Sequence, residues 1–266
     1  MKRNLSEQEQ VLLSKLAVRK AKLVTPHEVE EILGTPLENT YRILSRLYQK
    51  GWVERVRKGL YLIVPMEGVD GWAEHEFVYA SRLVSPYYIS YRTALSHWGL
   101  TEQLPRVVFI ATTKRRHNFE FQGAFFRFVT VKSRKLFGFA PIVVDGIEVQ
   151  MADREKAIVD SLDQEAYGGG ILEISKALLE GKGELEVDRL GDYALRMGSQ
   201  VLVRRLGYLL DLLDMGDTMA LAGTLDHPPL AYLSTLFPKK SLTTDQKWRL
   251  LINVPERQLL PGREIL

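Results

Sequence analysis

A chain of 266 residues has room for one large domain or two ordinary ones, and a hydrophobic share of 45% excludes wholesale disorder. The absence of cysteine excludes disulfides, thiolate chemistry and Cys-based zinc sites. No apolar run reaches the roughly 18 residues of a membrane-spanning helix. The start, Met1 to Glu9, turns polar at once and does not read as a signal peptide, so a cytoplasmic location is expected. Net charge is only +3, but its distribution is uneven. Residues 1–64 hold 12 Lys/Arg against 7 Asp/Glu, and residues 106–135 hold Arg106, Lys114, Arg115, Arg116, Arg127, Lys132, Arg134 and Lys135 against Glu120 alone. The remainder is acidic by difference, and two basic segments suit an acidic partner such as nucleic acid.

In chain order, Ser6 is expected to cap a helix running to about Ala21, with Val11, Leu12 and Leu16 inward. Two phrases follow ten residues apart, Thr25-Pro26-His27-Glu28 and Thr35-Pro36-Leu37-Glu38. Each reads as a helix start: Thr caps, Pro fits the first turn, and Glu reaches back to the cap N–H. The first predicts a short helix from Pro26 to Leu33 stopped by Gly34, and the second a helix from Pro36 to Lys50. Leu37, Tyr41, Leu44 and Tyr48 fall on one face of that helix and are expected to anchor it. The opposite arc offers Asn39, Arg42, Arg46, Gln49 and Lys50.

Gly51 reads as the helix stop. Strands are then expected at Trp52–Val56 and Leu60–Val64, with Arg57-Lys58-Gly59 as the turn. Two closely spaced helices and a hairpin describe a winged helix-turn-helix over residues 1–65. Its second helix presents Arg, Asn and Gln to base edges and phosphates, and its wing tip presents Arg57 and Lys58 to the backbone. The expected partner is double-stranded operator DNA. The plainer reading, a solvated polar helix face on a protein-binding module, stays open at this point.

Residues 66–71 read as a polar, Gly-rich linker. Beyond it, helices are expected at Glu74–Leu83 and Arg92–Gly99, and a strand at Val107–Thr112. Hairpins are expected at 119–131 and 142–151, the latter about the favoured Asp145-Gly146 turn. Helices return at Asp153–Leu162, Ile171–Leu179, Val187–Met197 and Val201–Leu213. The fold class is therefore α+β: a winged helix followed by a domain of mixed antiparallel sheet and helices over 72–215, with a tail, 216–266, packing on the body. Lys114, Arg115, Arg116, Arg127 and Lys132 form a candidate second basic surface, for nucleic acid or an acidic partner.

The stretch from Tyr88 to Leu100 (Tyr-Ile-Ser-Tyr-Arg-Thr-Ala-Leu-Ser-His-Trp-Gly-Leu) resembles the one that follows the linker in AbiEi-type antitoxins. So do Pro105 to Thr112, the Phe137-Gly138 element, Met151 to Asp160 and Gly168-Gly169-Gly170, in that order behind a winged helix. The resemblance covers about residues 5–215. It implies a transcriptional autorepressor that is also the antitoxin of a type IV toxin–antitoxin or abortive-infection operon, counteracting a nucleotidyltransferase toxin. Protection through direct contact with the toxin and protection through the toxin's targets are both compatible with it. The alternative is a stand-alone winged-helix regulator with a C-terminal sensor or assembly domain.

No catalytic, metal or cofactor site is expected. The histidines are scattered without ligand spacing, and no nucleophile elbow, P-loop or dinucleotide fingerprint occurs. Asp153, Glu155, Asp160 and Asp163 cluster, but Arg154 and Lys156 interleave with them, and Asp153 reads as a helix cap. An enzymatic reading would need those carboxylates to be open to a pocket with shifted acidities.

Overall fold

The computed structural model describes residues 4–64, 75–104, 106–226 and 229–260. The chain divides into two compact units, Met1–His75 and Glu76–Leu266. The expected linker at 66–71 lies outside the described residues.

In the first unit, helices α1 (Glu7–Val18), α2 (Pro26–Leu33) and α3 (Leu37–Gln49) enclose a core of Leu12, Leu16, Val29, Ile32, Ile43, Leu44 and Leu47. Strand β1 (Leu23–Val24) pairs antiparallel with β3 (Leu60–Ile63), which pairs antiparallel with β2 (Val53–Arg57). Trp52, Val53 and Tyr61 close the core from the hairpin side. This is the winged helix-turn-helix expected from the sequence.

The two helix starts behave differently. Thr25 and Glu28 form a complete capping box, the Thr25 hydroxyl accepting from the Glu28 N–H and the Glu28 carboxylate accepting from the Thr25 N–H at 2.7 Å. Thr35 does not cap α3. Pro36 occupies the cap position with extended backbone and makes no side-chain cap bond. Glu38, the residue meant to complete that box, is engaged by Arg42 one turn on. Gly34 ends α2 at φ +62°, a left-handed turn that costs glycine little and bends the chain into α3.

The second unit is built on a six-stranded sheet in the order β6-β7-β5-β4-β9-β8. The strands are β4 (Tyr87–Ile89), β5 (Val107–Thr112), β6 (Phe119–Phe121), β7 (Ala124–Thr130), β8 (Phe139–Val144) and β9 (Ile147–Ala152). Both hairpins form as expected, but each inserts its second strand beside an earlier one. As a result β5 and β7, and β4 and β9, are parallel. The sheet is therefore mixed; turn chemistry fixes a hairpin but not which of its strands docks.

Helices α4 (Glu76–Leu83), α5 (Tyr91–His97), α6 (Arg154–Asp163), α7 (Glu165–Gly168), α8 (Ile171–Glu180), α9 (Val187–Arg196) and α10 (Gln200–Leu212) complete the body. Residues 155–162 of α6 are all buried, because α5, α7, α8, α9 and α10 surround it. The C-terminal segment adds α11 (Met219–Ala222), β10 (Ala231–Tyr232), β11 (Thr243–Asp245), β12 (Leu250–Ile252) and α12 (Glu256–Leu259). Trp248 seats this segment on α10: a Cβ added to Gly207 would lie 2.1 Å from the indole, and the indole N–H donates to Asp211 at 2.6 Å.

Candidate nucleic-acid interface

The buried residues of α3 are Thr40, Ile43, Leu44 and Leu47, an i, i+3, i+4, i+7 stripe. Tyr41 and Tyr48, expected to anchor the helix, are instead 48% and 54% exposed. Tyrosine suits either side of a surface, and the branched aliphatics win the core. The helix is thereby rotated relative to the sequence expectation. At about 100° per residue, the line opposite the buried stripe runs through Glu38, Arg42, Ser45 and Gln49. Asn39 and Arg46 flank it on one side, and Tyr41 and Tyr48 on the other. Sequence reading missed Ser45 and the two tyrosines. The aliphatic stripe was the available signal, and the aromatic residues outweighed it.

The cations on this helix have distinct roles. Arg42 is exposed and pairs with Glu38 at 2.5 Å, a solvent-screened contact that a phosphate or base can displace. Lys50 is only 19% exposed and reaches Glu9 on α1 at 2.5 Å, so it is withdrawn from the outward arc. Arg46 also meets Glu9, through Nε at 3.2 Å, while its side chain stays half exposed. Of its donors, only Nε is committed to the carboxylate, so the two Nη groups are the ones left for an anion.

Glu9, which positions the cations of this helix, was also missed by sequence reading. It is fully buried, and its Oε2 also accepts from the Ser6 N–H at 2.7 Å, completing the α1 capping box. One carboxylate therefore closes the start of α1 and ties down the C-terminal end of α3. Burial pushes the carboxyl up, but Lys50 and the Ser6 hydrogen bonds more than offset this and hold it below its ordinary value. The Ser-x-x-Glu spacing was readable, but partners some forty positions downstream were not.

Asn39 and Gln49 are exposed, and Asn39 reaches back to the Thr35 hydroxyl at 3.4 Å. At the wing tip Lys58 is exposed. Arg57 is half-buried beside a register shift between Arg55 and Arg57.

Residues 12–64 match the family described as "Transcriptional regulator, AbiEi antitoxin". The match lies within the first unit and runs from the middle of α1 through α2, α3 and the wing. It supports an antitoxin and regulator role. The chain is also similar to the crystal structure of the RV2827C protein from Mycobacterium tuberculosis. The two are 17% identical and align with a TM-score of 0.66 over 97% of this chain and 94% of that one, a likeness of fold. No curated protein matches the chain.

The second basic surface is split by the sheet. Lys114, Arg115 and Arg116 are exposed in the loop after β5, and Lys132 is exposed just after β7. The Val131 N–H donates to the Thr112 carbonyl at 2.8 Å, so both segments leave the parallel pair at the same end. Arg127 does not join them. It sits mid-strand, and its guanidinium lies 6.0, 5.9 and 5.7 Å from the rings of Phe109, Phe125 and Tyr167.

The carboxylates of α6 are structural. Asp153 caps the helix and accepts from the Tyr193 hydroxyl at 2.8 Å; burial, and then this bond, push that phenol up to about 12. Asp160 is 1% exposed and bonds the Lys156 ammonium, while its other oxygen accepts from Tyr88 at 2.9 Å and Ser90 at 2.7 Å. Burial raises its pKa although Lys156 opposes the shift. Asp163 pairs with Lys135 at 2.5 Å. Asp160 is sealed rather than open to a cavity, so it lacks the access an acid or base needs. Among the described residues no group of three His, Asp or Glu is placed to hold a metal ion, and no helix is long and apolar enough to cross a membrane.

Proposed function

We propose that this chain represses its own operon by placing α3 in the major groove of operator DNA. In this reading Arg42, Arg46, Asn39, Ser45 and Gln49 face the bases and phosphates, and Arg57 and Lys58 of the wing meet the backbone or minor groove. Lys50 acts from behind, through Glu9. The observation that carries this reading is the polar line Glu38, Arg42, Ser45, Gln49 opposite a complete aliphatic stripe. The family match over residues 12–64 supports the regulator role. The second unit, with the segments from Tyr88 to Asp160 that resemble AbiEi-type antitoxins, counteracts a nucleotidyltransferase toxin encoded beside it.

Two experiments test this. Gel-shift titration of the promoter upstream of the gene should show tight binding that Arg42→Ala or Arg46→Ala each weakens by about 1–3 kcal/mol, the value of a bidentate base contact. Unchanged binding in both variants rejects the assignment of α3. Co-expression with the neighbouring reading frame should rescue growth. Operator binding without rescue means a stand-alone regulator.

A further inference from the structure

We propose that the corner of the second unit formed by β6, β7 and the loop before them binds single-stranded nucleic acid. The loop at 113–118 carries Lys114, Arg115 and Arg116, all exposed, and runs directly into Phe119, the first residue of β6. Lys132 is exposed at the same end of the sheet. None of these four cations has a carboxylate partner among the described residues. Three adjacent cations repel one another, and a polyanion relieves that repulsion.

Beside them stand two aromatic residues that are only partly buried. Phe119 and Phe128 lie on one face of the β6–β7 ladder, with centroids 6.4 Å apart and planes 23° from parallel. Phe119 also stacks on Phe126 at 5.0 Å and 16°. The Asn118 carboxamide accepts from the Phe128 N–H at 2.9 Å, which pins the basic loop to the strand bearing the second ring. Arg127 alternates to the opposite face, beside Phe125.

Ring faces beside unpaired cations match a polymer with both π-surfaces and phosphates. In a duplex the base faces are stacked on one another and unavailable, so the fit is to unpaired bases. Neither phenylalanine has a hydrogen-bonding group, and recognition is therefore tolerant of sequence. An acidic peptide would satisfy the cations and leave the paired rings unused.

The test is fluorescence anisotropy on the full chain, with labelled oligothymidylate and oligouridylate of about twelve nucleotides as probes. Both should bind, with an affinity that falls steeply with salt. Reversing the loop charges (Lys114→Glu, Arg115→Glu and Arg116→Glu together) should weaken both probes at least about tenfold. Phe128→Leu keeps apolar volume and loses the ring face, and should weaken them about 5- to 100-fold. A negative charge introduced on the recognition helix, Ser45→Glu, should leave the single-stranded probes unaffected, which separates this corner from the winged helix. A wild-type chain that ignores both oligonucleotides overturns the proposal, as expected for a surface that docks an acidic protein. So does full retention of binding by the loop variant, whose exposed positions make it safe for folding, and so does loss of single-strand binding in Ser45→Glu alone.

Discussion

The two units use a buried carboxylate paired with a cation in opposite ways. In the first, buried Glu9 is held by Lys50 and by Arg46, and Arg46 keeps half its side chain in solvent. The pair forms a bracket between the core and the outer surface, fixing a helix while leaving a guanidinium edge free. In the second unit, Lys156 and Asp160 are both sealed, and Tyr88, Ser90, Phe137 and Met197 complete their surroundings. Nothing there is offered outward. Ionisable residues in a motif are therefore no guide to a site until their exposure is known: the denser cluster, on α6, is the structural one.

Three substitutions press on this contrast. The largest effect is expected from Lys156→Met. It leaves Asp160 buried without its cation and should cost the second unit about 3–5 kcal/mol, read as an earlier transition in calorimetry. Operator affinity of the folded protein should not change. A loss below about 0.5 kcal/mol would show that the pair is not what holds α6. Next is Glu9→Gln, expected to cost the first unit about 1.5–3 kcal/mol through weakened charged hydrogen bonds. Because the folded carboxyl titrates below its unfolded value of about 4.3, its stabilisation is complete above that value and is lost as pH falls through the folded one. The variant should lack this acid-side loss, and identical acid melts in both proteins would remove Glu9 from its bracketing role. The smallest effect belongs to Lys58→Ala at the wing tip. It should weaken all duplexes alike and lower the slope of log affinity against log salt by about 1. A sequence-selective loss would instead make Lys58 a base reader.

Much of this architecture was legible in the chain. Thr25-Pro26-His27-Glu28 announced its helix because a capping box is local, and Asp145-Gly146 announced its hairpin for the same reason. The second Thr-Pro phrase also marked a helix start, at Leu37, but its capping box did not form: Pro36 takes the cap position and Glu38 pairs with Arg42 one turn away. The rotation of α3 was missed because tyrosine satisfies either side of a helix, and only tertiary packing chose Ile43 and Leu47 for the core. Parallel pairing of β5 with β7 was illegible, since nothing in a hairpin's turn states which strand will meet a neighbour. Glu9 and the division of the basic segment around Arg127 are long-range facts of the same kind. The sequence offered the residue types, and the folded chain decided which faced a partner.

The rotation of α3 is the central claim, and Ser45 tests it most directly. Ser45 is exposed, lies on the line opposite the aliphatic stripe, and belongs to no side-chain pair among the described residues. A Ser45→Glu variant places a negative charge on that line without disturbing the core. Titrated against promoter duplex at fixed salt, it should lose at least about a hundredfold in affinity, from like-charge repulsion with phosphate and loss of close approach, with an unchanged melting temperature. Wild-type affinity in a folded Ser45→Glu protein would contradict the placement of this face against DNA.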